Sequence, residues 1–394
     1  MKIMEEATTN LYASVGEQLA HYQVDVSNAA LRRRAAYTLP ANVQYAWPHP
    51  SRRYLYVVTS DRVRGELGTK HAITVFRIAN DGALEQINEP VSLPHRPIHI
   101  AVDASGEWLA ATFNNAGSKR GPGAVVVYRI VQDGAVLELV TSDAGIDAGI
   151  YPHQARFTRD NANLLVCVRG HSATADRDED LGSLKDFRFQ SGALNPASEV
   201  QYQPGLGPRH LDLHPKDPWV YISMERGNKL CMHGLDEPGT ATSESLFTRS
   251  TLADETNDKR VRQLAGPIHI HPLGTHVYVA NRADGVVHDG ETDIFEGGEN
   301  NIAVFCINGA TGEPSVVQHV DTRGISPRTF AVDRSGRLLI VGNQMTRRAR
   351  DGVAVTTIPV SLAVFRLSPE GRLEYVRKYD LDTGKKTLFW MGLV

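Results

Sequence analysis

Short apolar runs alternate with polar, glycine-containing turns along this chain, and the alternation recurs at long range. The stretches IHIAVDASGEWLAATFN, ARFTRDNANLLVCVR, LDLHPKDPWVYISME, IHIHPLGTHVYVANR and FAVDRSGRLLIVGNQ share one plan: a strand, a polar turn, then a second apolar strand. AWPHPSRRYLYVVTS is a sixth copy. With the first turn residue as anchor, the copies fall at His49, Asp103, Thr158, His214, His271 and Asp333, separated by 54, 55, 56, 57 and 62 residues. After each hairpin comes a third apolar strand, such as ITVFRI, AVVVYRI, IAVFCI or LAVFRL. A glycine turn such as NDGALE or PEGRLE then leads to a fourth.

Repeated four-stranded antiparallel units predict an all-β fold, a β-propeller in which each unit is one blade around a central channel. Six copies occupy residues 43 to about 382. The N-terminal TNLYASV, EQLAHYQVD and RRRAAYTL match the second to fourth strands of a blade, and the C-terminal TLFWMGLV supplies a first strand. The expectation is one domain over residues 1–394, with a seventh blade closed by both chain ends, which removes the exposed edges of an open array.

Register then gives the polar residues a meaning. Five residues before each anchor stand Gln44, Ile98, His153, Arg209, Gly266 and Arg328; eleven after stand Ser60, Asn114, Arg169, Glu225, Arg282 and Gln344. In an antiparallel hairpin the start of the first strand lies beside the end of the second, so both sets gather at one mouth of the channel. His153, Arg209, Glu225, Arg282 and Arg328, with Arg169, thereby put a base and several cations around one cavity. Like charges clustered in this way suit an anion or a developing oxyanion. Strand alternation sends His210 to the opposite face from Arg209 and assigns it to blade packing.

Composition narrows the partners. The 42 basic and 45 acidic residues are interspersed and leave a net charge of -3, so neither nucleic acid nor an anionic membrane is an expected partner. MKIMEEATTN lacks the apolar core of a secretory signal, and no apolar run approaches the length of a membrane span. Cys167, Cys231 and Cys306 are isolated, without CxxC spacing, which argues against a disulfide framework or a zinc site. The expected compartment is the cytoplasm. DRDEDLG, with Asp176, Asp178 and Asp180, departs from a calcium loop because its glycine is one place late and Phe187 stands at the twelfth position. His269 and His271 in HIH could be paired ligands on one strand face, but His271 is a turn anchor like His214, which favours a structural role. No G-x-S-x-G, Walker or G-x-G-x-x-G motif is present, and neither a metal nor a cofactor is expected.

The motifs YPHQARF, GLGPRHLDLHP, WVYISMER, THVYVANR and GISPRTFAVDRSGRLLIVGNQ resemble those of the seven-bladed propeller lactonases, a family that includes propeller-type 6-phosphogluconolactonases and the fungal 3-carboxy-cis,cis-muconate cyclase. The resemblance spans nearly the whole chain. In the cyclase branch a histidine, two arginines and a glutamate form the proposed active site, and by motif these fall on His153, Arg209, Arg282 and Glu225. The resemblance implies a cofactor-independent enzyme that hydrolyses a small sugar-acid lactone, which could be phosphorylated. In that chemistry Arg209 and Arg282 face the oxyanion, His153 moves the proton, and Glu225 holds the arginines or orients the histidine. Arg328 and Arg169 would clamp a remote anionic group, with Gln344 and Asn114 as further substrate contacts. Two alternatives remain open from sequence: a cycloisomerase forming a muconolactone, and a non-catalytic interaction propeller. The long loops 171–183 and 283–300 follow second strands and are expected to overhang the same mouth. The oligomeric state is not readable from the sequence.

Overall fold

The computed structural model describes residues 9–394 apart from 64–65, 115–120, 142–145, 237–238, 258–260, 291 and 353. The expected repeat is a ring of seven antiparallel blades. Blades 1 to 6 start with the inner strands Asn42–Pro48, Pro97–Val102, Pro152–Phe157, Pro208–Leu213, Gln263–Ile270 and Ile325–Val332. Blade 7 draws on both chain ends, as the orphan strands required. Its inner strand Leu388–Leu393 pairs with Thr9–Val15, followed outward by Gln18–Asp25 and Ala30–Thr38. Each inner strand touches that of the next blade, and the last touches the first, so the ring closes.

The core follows from this arrangement. A strand buries side chains on both faces only if a blade stands on each side, and the apolar side chains accordingly form seven clusters, one between every pair of neighbouring blades. Blade 1 meets blade 2 through Tyr56, Leu109 and Phe113, and blade 7 meets blade 1 through Tyr12, Leu55 and Trp390. Polar latches repeat around the same interfaces. The anchor histidines reach a glycine carbonyl in the next blade's turn: His49 to Gly106 at 3.0 Å, His214 to Gly274 at 2.8 Å and His271 to Gly336 at 3.3 Å. Farther out, tyrosine hydroxyls donate to glycine carbonyls one blade on, Tyr56 to Gly134 at 2.8 Å and Tyr221 to Gly312 at 2.6 Å. The structural role expected of His271 is thus realised.

One element departs from expectation. The segment after blade 5's second strand is more than a loop: Val286–Asp289 and Thr292–Phe295 form a hairpin. This hairpin joins, through a parallel pairing at Ile294 and Arg348, a second hairpin of Arg347–Asp351 and Ala354–Ile358 that leaves blade 6 at the corresponding place. Because much of Ala354–Ile358 is exposed, its sequence carries no apolar period to announce it.

Candidate active site

The channel-facing residues owe their direction to a recurring irregularity. In every blade the pairing of first and second strands skips a residue at the mouth: Gln44, Ile98, His153, Arg209, Arg328 and Phe389 singly, and Gly266 with Pro267 in blade 5. A skipped residue is a β-bulge, which bends the strand and re-aims a side chain. Four of these residues follow a proline, namely Pro97, Pro152, Pro208 and Pro327, and a proline inside a strand pattern is a readable sign of a bulge. Two residues before the bulge, Tyr151 (φ 64°), Gly207 (φ 59°) and Ser326 (φ 56°) occupy the left-handed region that non-glycine residues avoid. Strain at Tyr151 and Ser326 launches His153 and Arg328 into the channel.

Glu225 is the centre of charge. It directly follows the second strand of blade 4, Trp219–Met224, with its amide donating to Gly207 O at 2.8 Å and its carbonyl accepting from Ala265 N at 3.0 Å. Its carboxylate takes three guanidinium groups: Arg209 Nε at 3.0 Å and Arg282 Nη2 at 2.5 Å on Oε1, and Arg169 Nε on Oε2. Burial works to raise the carboxyl's pKa, but Arg169, Arg209 and Arg282 outweigh it and hold Glu225 well below the usual range. Its oxygens accept from the three arginines, and none of its hydrogen bonds or ion pairs is to His153. Gly266 leaves room for Arg282, since a Cβ there would stand 2.9 Å from Arg282 Nε. With three cations on one anion, this cluster keeps an excess of positive charge.

Arg209, His153 and Arg328 line a cavity of about 420 Å³ in the channel. Arg169, Arg282 and Glu225 form a layer behind its wall. Burial, followed by Arg209, Arg169 and Arg328, pushes the His153 imidazole well below its usual range, so it is neutral at neutral pH. Arg328 stacks on Phe389, with its guanidinium carbon 3.8 Å from the ring centroid, and has no carboxylate within salt-bridge reach among the described residues. Burial, with Arg282 and Arg96 nearby, brings it down to about 9.

The assignment of His210 to blade packing is corrected. The bulge at Arg209 breaks the alternation on which it rested. His210 lines the same cavity, its Nδ1 accepts from Arg209 Nη1 at 3.0 Å, and its ring lies 4.9 Å from that of His153. Of the other expected contacts, Asn114 and Gln344 are buried but do not line the cavity. Gln344 Oε1 accepts from Ser326 Oγ at 3.4 Å and so supports the strained turn. The loop 171–182 lies beside the mouth: Glu179 takes Arg226 Nη2 at 2.5 Å and the Gly205 amide at 2.8 Å, while Arg226 also donates to Arg169 O at 3.0 Å. Sequence reasoning missed Arg96, whose Nε donates to Gln44 Oε1 at 2.8 Å at the mouth. Arg96 and Tyr151 lie seven residues before their anchors, off the two register positions that were compared.

A seven-bladed ring with this arginine mouth can be set beside known proteins. The model of a family described as lactonase, 7-bladed β-propeller, matches residues 7–351. The chain belongs to this lactonase family. Among its relatives are the 6-phosphogluconolactonase of Bacillus subtilis, 24% identical over 355 residues that span 88% of this chain and 92% of the relative. The 6-phosphogluconolactonase of Cronobacter sakazakii is 30% identical over 308 residues, spanning 77% and 78% respectively. The solved periplasmic gluconolactonase of Pseudomonas aeruginosa superposes with a TM-score of 0.76 over 98% of this chain and 99% of its own, at 21% identity, a likeness that shows the fold. No helix among the described residues is long and apolar enough to cross a membrane.

Proposed function

We propose that this lactonase-family protein hydrolyses a small sugar-acid lactone, in the manner of a 6-phosphogluconolactonase, without metal or cofactor. The observation that carries the reading is Arg209 on the cavity wall, oriented by Glu225 and set beside a neutral His153. Water attacks the lactone carbonyl while His153 takes a proton from it, and the tetrahedral oxyanion forms against Arg209. The intermediate collapses with cleavage of the ring C–O bond, and His153 returns the proton to the departing oxygen, leaving an open hydroxy acid. Arg169 and Arg282 contribute positive potential from behind the wall. Arg328 and Arg96 lie on the cavity wall without a carboxylate partner among the described residues and suit a remote phosphate or carboxylate of the substrate. The pairing of names among relatives supports the substrate class. The three free thiols, two of them buried, support a reducing compartment such as the cytoplasm.

The test is hydrolysis measured across sugar lactones, phosphorylated sugar lactones and a carboxy-cis,cis-muconate. Ring opening of a sugar lactone is the expected result. Turnover of the muconate alone would replace this reading with the cycloisomerase, and turnover of none would leave an interaction propeller.

A pH profile probes the two charged roles separately. His153 accepts a proton only when neutral, and a pKa well below the ordinary value of about 6.5 keeps it neutral on descending from pH 8 to pH 6. The kcat is therefore expected to stay level over that interval. Arg328 is charged below about 9 and loses its charge above, so KM for a phosphorylated lactone rises as the pH passes that value. Arg328→Gln is expected to raise KM at neutral pH roughly tenfold to a hundredfold, the worth of a charge-assisted hydrogen bond, and to abolish the alkaline rise. A break in kcat near pH 6.5 would remove His153 as the base.

A further inference from the structure

Arg328 is held differently from the other arginines of the mouth. Arg209 reaches Glu225 through Nε and His210 through Nη1, Arg282 gives Nη2 to Glu225 and to Ala265 O at 3.1 Å, and Arg96 gives Nε to Gln44. Each has thereby given up part of its donor edge. The Arg328 guanidinium makes neither a hydrogen bond nor an ion pair among the described residues, and what holds it is the Phe389 ring, whose centroid lies 3.8 Å from the guanidinium carbon. At that distance only a face-on arrangement fits, because an N–H aimed at the ring would bring its nitrogen about 1.3 Å nearer, inside contact distance.

The fold brings the two side chains together. Arg328 and Phe389 are the residues that strand pairing skips in blades 6 and 7, whose inner strands are neighbours, so two adjacent bulges turn them into the channel, where both line the cavity. The negative face of the ring attracts the cation without taking an N–H and without cancelling the charge. A carboxylate would do both, as Glu225 does for Arg169, Arg209 and Arg282. The N–H donors of Arg328 therefore remain in a plane lying along the ring, and an anion meets them edge-on, in the bidentate manner of guanidinium and phosphate.

We infer that Phe389 is a positioning residue that sets the preference for a lactone with an anionic substituent, by holding the Arg328 guanidinium on its ring face and leaving the donor edge to the ligand. This rests on the lactonase reading above. The reacting carbonyl stays at Arg209 and His153, so the bonds made and broken are those of simple lactone hydrolysis. An aliphatic side chain of similar bulk would fill the space without attracting the cation, so the ring, rather than the volume, is what the position requires.

A matched pair tests it: δ-gluconolactone and its 6-phosphate share one ring and differ by the anion. The quantity read is the preference, the ratio of kcat/KM for the phosphorylated lactone to that for the plain one. Phe389→Leu keeps apolar bulk without the ring and is expected to lower the preference roughly threefold to thirtyfold, the worth of a cation–π contact, carried mainly by KM. Phe389→Tyr is expected to retain it. In an Arg328→Gln background Phe389→Leu is expected to lower the preference no further, because the ring acts through the guanidinium. Phe389→Met takes the place of Phe389→Leu if unfolding curves show that the leucine protein does not fold. A second measurement needs no turnover: calorimetry with the products 6-phosphogluconate and gluconate is expected to show tighter binding of the phosphorylated acid to the wild type, and a narrower gap in Phe389→Leu. Turnover of both lactones without a preference, a preference undiminished in Phe389→Leu, an equal loss in Phe389→Tyr, or a loss that persists on top of Arg328→Gln each overturns the role of Phe389 and leaves the lactonase reading standing. A ring-dependent binding gap without turnover of either lactone overturns the lactonase reading alone, and the absence of both overturns both.

Discussion

Arg209→Ala is expected to lower kcat on a lactone substrate by about a hundredfold to a thousandfold, the usual consequence of removing an oxyanion donor from a dry site. The variant is expected to fold. Deleting one partner of a buried ion pair is costly when it strands the other charge, but Glu225 keeps Arg169 and Arg282 after the change. The variant also relieves repulsion among cations that share one carboxylate. Arg209→Lys is not expected to restore the rate, because the guanidinium reaches Glu225 Oε1 through Nε and His210 Nδ1 through Nη1 in one fixed plane, whereas an ammonium is a compact point charge. His153→Ala is expected to cost a similar factor. The measurement is steady-state kinetics with unfolding curves as the control for structure. Near-normal kcat in a folded Arg209→Ala protein would sink the mechanism.

The second large effect concerns closure. Removal of residues 388–394 is expected to leave a protein that fails to unfold cooperatively or melts far below the full chain. Leu388, Trp390 and Met391 are buried between blades 6, 7 and 1. At about 1.5 to 3 kcal/mol for each buried apolar side chain, their loss alone approaches the total stability of an ordinary domain, about 5 to 15 kcal/mol. The truncation also breaks the paired bonds of Asn10 N to Val394 O at 3.0 Å and Val394 N to Asn10 O at 2.8 Å, and bares the edge of Thr9–Val15. Deleting the second external hairpin, residues 347–358, is the comparison, since much of it is exposed and its loss leaves the seven clusters intact. Thermal or urea unfolding decides, and a truncated chain that melts with the wild type would refute closure by both ends.

The sequence made the architecture legible because each blade repeats one alternation and one turn, and because Thr9–Val15 and Leu388–Leu393 each lack what the other supplies. It also brought His153, Arg209, Glu225, Arg282, Arg328 and Arg169 to one mouth. Strict alternation could not place His210, since it assumes an unbroken ladder and the ladder skips Arg209. The prolines before the bulges carried that information in four blades. Counting register alone also made Asn114 and Gln344 substrate contacts, although, like Glu225, they do not line the cavity. The external hairpins escaped notice for a physical reason: strands that bury little need no apolar period.

The skipped residue at the head of every blade separates two kinds of inheritance. Strand pairing does not use it, so outside blade 5, where a Cβ at Gly266 would crowd Arg282, its identity is freer of the demands that fix its neighbours. Around the ring the seven settings are Gln44, Ile98, His153, Arg209, Gly266, Arg328 and Phe389, like tumblers in one lock. Changing a tumbler alters what the lock admits while the barrel turns as before, so a new substrate range lies a few substitutions away and costs the fold little.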